Sequence, residues 1–425
     1  MSSFRIVDHK IPCQHVREYP RALAGSQEDV LHLAVKQYIP LDNPEPQPGD
    51  LTIIGAHANA FPKELYEPLW DDIHARMKKH NFRIRSIWIA DVAQQGCSGV
   101  LNEELLGNDP CWHDHPRDLL HMINLKRDEM PRPLIGIGHS MGGNNLVNLA
   151  LIHPRLFSSL ILIDPVIQAQ TSRKRTGPTE AAMSTFRRDV WPSREDAAKS
   201  YNKSAFYQTW NPRVLDLWVK YGLRDTPTPI HPEGSYTGGP KKVTLTTTKH
   251  QEVFTFLRPN YERYGEGKSG NRRTHPDLNP ELTPNEPFYR PEPGQTMLRL
   301  PEVRPSVLYI FGGTSEISSP EQREHKMNHT GVGVGGSGGE AVGRVKGVVF
   351  DGVGHLVAME AVEKTADEAC GWIGSELERY RVEENEFNKM WSQKSRIEKQ
   401  TTDEKWKTMM GGPPSRKKPD AKPKL

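Results

Sequence analysis

The stretch "LIGIGHSMGGNN", residues 134–145, decides the fold. Its apolar run, Leu134 to Ile137, leads to Ser140, which stands two residues after Gly138 and two before Gly142. Gly-x-Ser-x-Gly between a buried strand and a helix is the signature of a nucleophile elbow, a strained turn that presents the serine hydroxyl. Three fixed letters match by chance, so context must decide. Gly335, Ser337 and Gly339 in "GVGVGGSGGE" fit the same pattern, with no apolar strand before them and no helix former after them. Ser140 is therefore the candidate nucleophile and Ser337 is not. The G-x-G-x-x-G spelling at Gly333 to Gly338 also lacks a preceding strand and reads as a loop, not a dinucleotide site.

Outward from the elbow, "LTIIGAH", "RIRSIWIAD", "PLIGIG" and "SLILIDP" are short continuous apolar runs, as strands covered on both faces should be. Helix-like stretches separate them: Leu65 to His80, "PRDLLHMINLKRDEM" and "NNLVNLALI". This alternation predicts an α/β fold with a mostly parallel sheet. Two earlier segments, "RIVDHKI" and "LHLAVKQYIP", alternate apolar with polar residues and predict an antiparallel pair. The alternation stops from about Val166 to Arg304, where prolines, aromatics and charges crowd together, and resumes with "SVLYIFGG", "RVKGVVFDG" and a long helix beginning near Ala358. The expected organisation is a core in two parts, 1–165 and 305–400, an inserted cap over 166–304, and a basic, disordered tail over 401–425.

A formal charge of +3 over 425 residues is nearly balanced, and the visible basic excess sits in "SRKKPDAKPKL", which argues against a nucleic-acid-binding body. Cys13, Cys97, Cys111 and Cys370 form no C-x-x-C pair and suit a reducing compartment. "MSSFRIVDHKIPCQ" has no apolar leader, and nowhere do 18 uncharged apolar residues run together, so neither secretion nor a membrane span is expected.

A serine hydroxyl needs a base to take its proton. His355 in "VVFDGVGHLVAME" follows an apolar strand and a glycine turn and precedes a helix, a setting the other histidines lack. For the acid, Glu316 follows the strand after the cap, and Asp164 ends the strand after the nucleophile helix; spacing does not choose between them. An oxyanion needs two backbone N–H donors, expected from Met141, next to the serine, and from Asn59 in "GAHANAF". His57 shapes that loop. His113 and His115 in "CWHDHPRD" have no third ligand pattern, and a helix start is the better reading, so no metal is expected.

With these residues in hand, the chain resembles the fungal α/β-hydrolases of secondary metabolism, the family of the peroxisomal acyl-coenzyme A thioester hydrolases of mycophenolic acid biosynthesis. The likeness runs through "PKELYEPLW", "RDLLHMIN", "MPRPLIGIGHSMGGN", "HPRLF", "LIDP", "VWPSRE", "GGSGG" and "GHL". It implies an α/β-hydrolase fold, Ser140 as nucleophile, His355 as base, Asp164 rather than Glu316 as acid, and Asn59 and Met141 at the oxyanion. It departs at two places, Met141 standing in place of Phe and Asn59 in place of Val, which implies a different acyl group. The implied reaction is cleavage of an acyl-CoA to a free acid and CoA, with no cofactor. A lipase or carboxylesterase is the alternative within enzymes, and a non-catalytic binding protein on the same fold the alternative outside them. Arg173, Lys174, Arg175, Arg187 and Arg188 are candidates to meet the CoA phosphates. The last residues, Pro423, Lys424 and Leu425, keep a small, basic, leucine pattern read as a peroxisomal address. The expected partners are thus the acyl-CoA substrate and a peroxisomal import receptor, with a homodimer left open and the cytoplasm as the alternative location.

Overall fold

Strand faces follow from side chains that point alternately to opposite sides of a sheet. The computed structural model describes residues 3–168, 179–232, 241–261, 275–278 and 287–412. β1 (Phe4–Pro12) and β2 (His32–Pro40) pair antiparallel, as their alternating pattern predicts. Then come β3 (Leu51–Ala56), α1 (Glu67–Arg76), β4 (Ile84–Ala90), α2 (Gly96–Leu101), α3 (Asp114–Leu125), β5 (Leu134–His139), α4 (Met141–Ile152) and β6 (Ser159–Ile163).

Between β6 and the next strand of the main sheet the described chain folds into short pieces: α5 (Glu180–Phe186), β7 (Val190–Trp191), α6 (Arg194–Lys203), α7 (Ala205–Gln208), α8 (Pro212–Tyr221), β8 (Leu223–Asp225), β9 (Val243–Leu245), α9 (Lys249–Phe256), β10 (Arg258–Pro259), β11 (Phe288–Tyr289) and α10 (Glu292–Arg299). They make two small sheets, β7-β9-β8 and β10-β11. After β12 (Ser306–Gly312), α11 (Pro320–His329) and β13 (Val345–Phe350) come α12 (Val357–Glu360), α13 (Val362–Ser392) and α14 (Glu404–Met409).

The main sheet has the order β1-β2-β4-β3-β5-β6-β12-β13, and its pairs from β4 to β13 are parallel. Its two faces bury separate cores. Ile53, Ile87, Ile137, Ile163 and Ile310 meet Trp70 and Ile73 of α1 and Ala366 and Ile373 of α13 on one face. Ile54, Trp88, Leu134, Leu162 and Tyr309 meet Leu119 of α3, Leu146 of α4 and Met297 of α10 on the other. Both faces being covered explains why these strands read as unbroken apolar runs.

The chain divides into two compact units, Met1–Leu377, which carries the sheet, and Glu378–Leu425. In the second, Phe387 and Trp391 stack with ring centres 6.0 Å apart. Sequence reading takes 401 onward as unstructured; the structure puts a turn and a half of helix at α14, where Asp403 caps the first turn by accepting from the Trp406 N–H and no residue is buried.

Candidate active site

The parallel order brings the ends of β5, β6 and β13 to one edge of the sheet, which is where ligand sites form in such sheets. β5 stops at His139, and Ser140 takes φ 58° and ψ −118° before α4 begins at Met141. That positive φ is strained for a residue with a Cβ. It persists because the Ser140 N–H donates to the Ile163 carbonyl at 2.9 Å and its carbonyl accepts from the Val166 N–H at 3.1 Å. Small neighbours let strand and helix close on one another: a Cβ at Gly142 would overlap the Ala56 carbonyl, and one at Gly138 would lie 2.6 Å from the Gly142 carbonyl.

Ser140, His355 and Asp164 form one hydrogen-bonded chain. His355 Nε2 lies 2.8 Å from Ser140 Oγ, and His355 Nδ1 lies 2.6 Å from Asp164 Oδ2. Asp164 is fully buried at the end of β6 and also accepts from the Ser315 hydroxyl at 2.5 Å and the Gly312 N–H at 3.3 Å. Burial by itself raises a carboxyl's pKa, but the hydrogen bond and charge of His355 and the Ser315 hydroxyl outweigh it, and Asp164 is held below the usual carboxylate range. Because a carboxylate only accepts, it fixes the His355 proton on Nδ1 and leaves Nε2 to accept from the serine. Glu316 is exposed and is not the carboxylate bonded to His355.

The loop from His57 to Ala60 is fastened on both sides. His57 shapes it: buried and kept neutral by that burial, it donates from Nδ1 to the Ala58 carbonyl at 2.8 Å and accepts from the Val92 N–H at 2.8 Å. The Ala58 N–H donates to the Tyr66 hydroxyl at 2.8 Å and the Ala60 N–H to Gln95 Oε1 at 2.7 Å. Among the described residues the Asn59 N–H has no acceptor. The Met141 N–H opens the first turn of α4, where no carbonyl lies one turn back. Met141 itself packs with Val92, Trp112 and Val166 in a small apolar cluster apart from the two cores.

Tyr66 and His139 have no role in the sequence reading, although His139 stands next to the serine. The Tyr66 hydroxyl lies 3.0 Å from His139 Nδ1, and His139 Nε2 lies 3.1 Å from the His355 carbonyl. With Nε2 donating, Nδ1 accepts from Tyr66, whose oxygen stays open to the Ala58 N–H. Burial drives the His139 imidazole down to about 3, so it is neutral.

The remaining candidates fall elsewhere. Arg187 is ion-paired with buried Glu252, and Arg188 donates to the Val190 carbonyl and lies over the Trp191 ring. Arg173, Lys174, Arg175, Pro423, Lys424 and Leu425 lie outside the described residues. His113 bonds Gln295 at 2.8 Å, and His115 is buried with its ring centre 6.3 Å from that of His57. Among the described residues no cluster of three or more His, Cys, Asp or Glu side chains is placed to hold a metal, and no helix is long and apolar enough to cross a membrane. Ser337 accepts from the Gly339 N–H at 3.3 Å within the loop after α11.

Residues 53–368 match the model of the alpha/beta hydrolase family. The chain is 42% identical to the type I acyl-CoA thioesterase mpaH' of Penicillium brevicompactum over 99% of both chains. It is 41% identical to the type I acyl-CoA thioesterase mpaH of Penicillium roqueforti over 93% of both. The peroxisomal alpha-beta-hydrolase Lpx1 of Saccharomyces cerevisiae superposes with a TM-score of 0.67 at 16% identity, covering 93% of this chain and 99% of that one, a likeness of fold. With its mostly parallel sheet and covering helices, the chain belongs to the α/β hydrolase family.

Proposed function

We propose that the protein is a serine hydrolase that cleaves acyl-CoA thioesters to a free acid and CoA. The observation that carries the reading is the Ser140–His355–Asp164 chain of short hydrogen bonds at the sheet edge. Full-length relatives named acyl-CoA thioesterases support the choice of thioester over oxygen ester.

His355 Nε2 takes the Ser140 proton as Oγ adds to the thioester carbonyl, and Asp164 holds the imidazole in register and stabilises its cation. The oxyanion is met by the N–H groups of Asn59 and Met141, donors that are already in place before charge develops. As the tetrahedral species collapses, the C–S bond breaks and the thiolate takes the proton from His355. The base then deprotonates a water that attacks the Ser140 ester, giving the acid and returning the proton to Oγ. In this reading the segment 166–304 is the cap that covers the acyl site, and the tripeptide Pro423, Lys424 and Leu425 directs the protein to peroxisomes.

The test is a substrate panel. Purified protein should release CoA thiol from one or more acyl-CoAs with kcat/KM above that for p-nitrophenyl and glyceride esters of the same chain length, and Ser140→Ala should abolish both. Faster turnover of the oxygen esters would make it a carboxylesterase. No turnover of any ester would leave the binding-protein alternative.

A further inference from the structure

We propose that α9, which belongs to the segment between β6 and β12, is a working part of the oxyanion loop's scaffold, with Gln95 and Thr255 as positioning residues for hydrolysis. The inference rests on the reading of Ser140 as nucleophile and Asn59 as oxyanion donor.

The loop from His57 to Ala60 has a core-side fastening, the Ala58–Tyr66–His139–His355 relay, which involves no residue of the inserted segment. Its other fastening runs through α9. Gln95 accepts from the Ala60 N–H and donates from Nε2 to Asn59 Oδ1 at 2.6 Å and to Thr255 Oγ1 at 3.1 Å. Asn59 Nδ2 donates to the Glu252 carbonyl at 3.1 Å, and Gln94 Nε2 to Thr255 Oγ1 at 3.2 Å. The second donor is tied to the same helix: Trp112, which packs against Met141, donates from Nε1 to the Thr255 carbonyl at 2.8 Å.

Two physical points turn these contacts into a function. Ala60 sits at φ 70°, a conformation unfavourable for alanine, so the bond from its N–H to Gln95 holds the turn that aims the neighbouring Asn59 N–H. Buried amides that use both their donor and acceptor rigidify their surroundings, and Gln95 and Asn59 are both buried and both doubly engaged. The side of α9 that adjoins Thr255 borders open space. Gln251 and Phe254 line a cleft of about 660 Å³ that it shares with Arg21, Gln94 and Arg224. A helix that borders a cleft beside the residues holding the oxyanion loop has room to move, and a shift of about 1 Å is enough to misplace a catalytic donor. The seating of the inserted segment therefore sets the rate of the chemical step as well as access to it.

The test compares wild type with Gln95→Leu and Thr255→Val on an acyl-CoA and on p-nitrophenyl acetate. It also measures inhibition by an alkyl trifluoromethyl ketone, which adds to the serine as a tetrahedral adduct, and the midpoint of thermal unfolding. Gln95→Leu should lower kcat about 10- to 100-fold, with KM within about twofold of wild type and ketone affinity reduced by a similar factor. Thr255→Val, which keeps the side-chain shape, should move the same quantities in the same direction by about 3- to 10-fold. If Gln95→Leu does not fold, Thr255→Val carries the test. A kcat within twofold of wild type in a folded variant, or a fall in kcat that leaves ketone affinity unchanged, would overturn the proposal. A wild type inert toward acyl-CoA would instead refute the proposed substrate, and the p-nitrophenyl ester would still report the positioning.

Discussion

Replacing Asp164 by asparagine is the sharpest perturbation of the proposed triad, because it changes one atom without changing shape. In the native arrangement Asp164 Oδ2 faces two donors, the His355 Nδ1–H at 2.6 Å and the Ser315 hydroxyl at 2.5 Å. An amide nitrogen at that point is a third donor, and with the amide turned round it faces the Gly312 N–H instead. The stable outcome is that His355 moves its proton to Nε2 and accepts at Nδ1, and an imidazole in that tautomer cannot take the proton of Ser140. The imidazolium also loses its counter-charge in a fully buried site. Together these effects should lower kcat about ten-thousandfold, which is about 5.4 kcal/mol of transition-state stabilisation. CoA release followed with a thiol reagent measures it, with a stopped assay of the liberated acid to reach the low rates. Glu316→Gln, altering an exposed side chain, should stay within about twofold. An Asp164→Asn enzyme that folds and keeps more than a tenth of wild-type kcat, or a Glu316→Gln enzyme that is the more damaged of the two, would exclude Asp164 as the acid.

Three further outcomes follow from the packing. Gly142→Ala puts a Cβ into the Ala56 carbonyl at the end of β3, and should cost about 1–3 kcal/mol in urea unfolding and most of the activity, since β3 leads into the loop that holds the proposed oxyanion donor Asn59. His139 should make the fold acid-sensitive: its pKa is depressed from 6.5 to about 3, so the unfolded chain binds a proton the folded one excludes. Its contribution is complete above pH 6.5 and is lost as pH falls toward 3, at up to about 1.4 kcal/mol per pH unit, and urea titrations of His139→Gln should show a flatter acid limb. Arg258, which is 1% exposed, bonds Asp109 at 2.7 Å and Asp277 at 2.8 Å and lies 3.5 Å over the Tyr19 ring. Arg258→Met leaves two carboxylates without that partner and should cost about 3–5 kcal/mol, whereas a urea midpoint unchanged from wild type would contradict the ion cluster.

The sheet was legible because its strands are covered on both faces, so Leu51 to Ala56 and Leu134 to Ile137 read as apolar runs and the two glycines mark where β5 and α4 meet. The carboxylate that bonds His355 was not legible from spacing. β6 and β12 are adjacent parallel strands with Ile163 opposite Ile310, so a carboxylate just beyond either one arrives at the same edge. What separates Asp164 from Glu316 is the local turn: Asp164 takes φ 37° and points into the site, while at β12 it is Ser315 that turns inward and Glu316 that faces out. The inserted segment was legible as an interruption and not as a structure, because its strands are two or three residues long and carry no period. Its contribution to the loop was invisible for a plainer reason. Gln95 and Thr255 are 160 positions apart, and a polar residue that will be buried by a distant partner reads in the sequence as a surface residue.

In the proposed mechanism Ser140 carries the acyl group. A fluorophosphonate probe followed by peptide mass mapping tests it most directly, because the probe labels a serine only where a base has activated it. One adduct per chain is expected, on the peptide containing Ser140, prevented by excess acyl-CoA and absent from His355→Ala. Hydrolysis of acyl-CoA that persists with Ser140 unlabelled, or an adduct on Ser337 in its place, would contradict it.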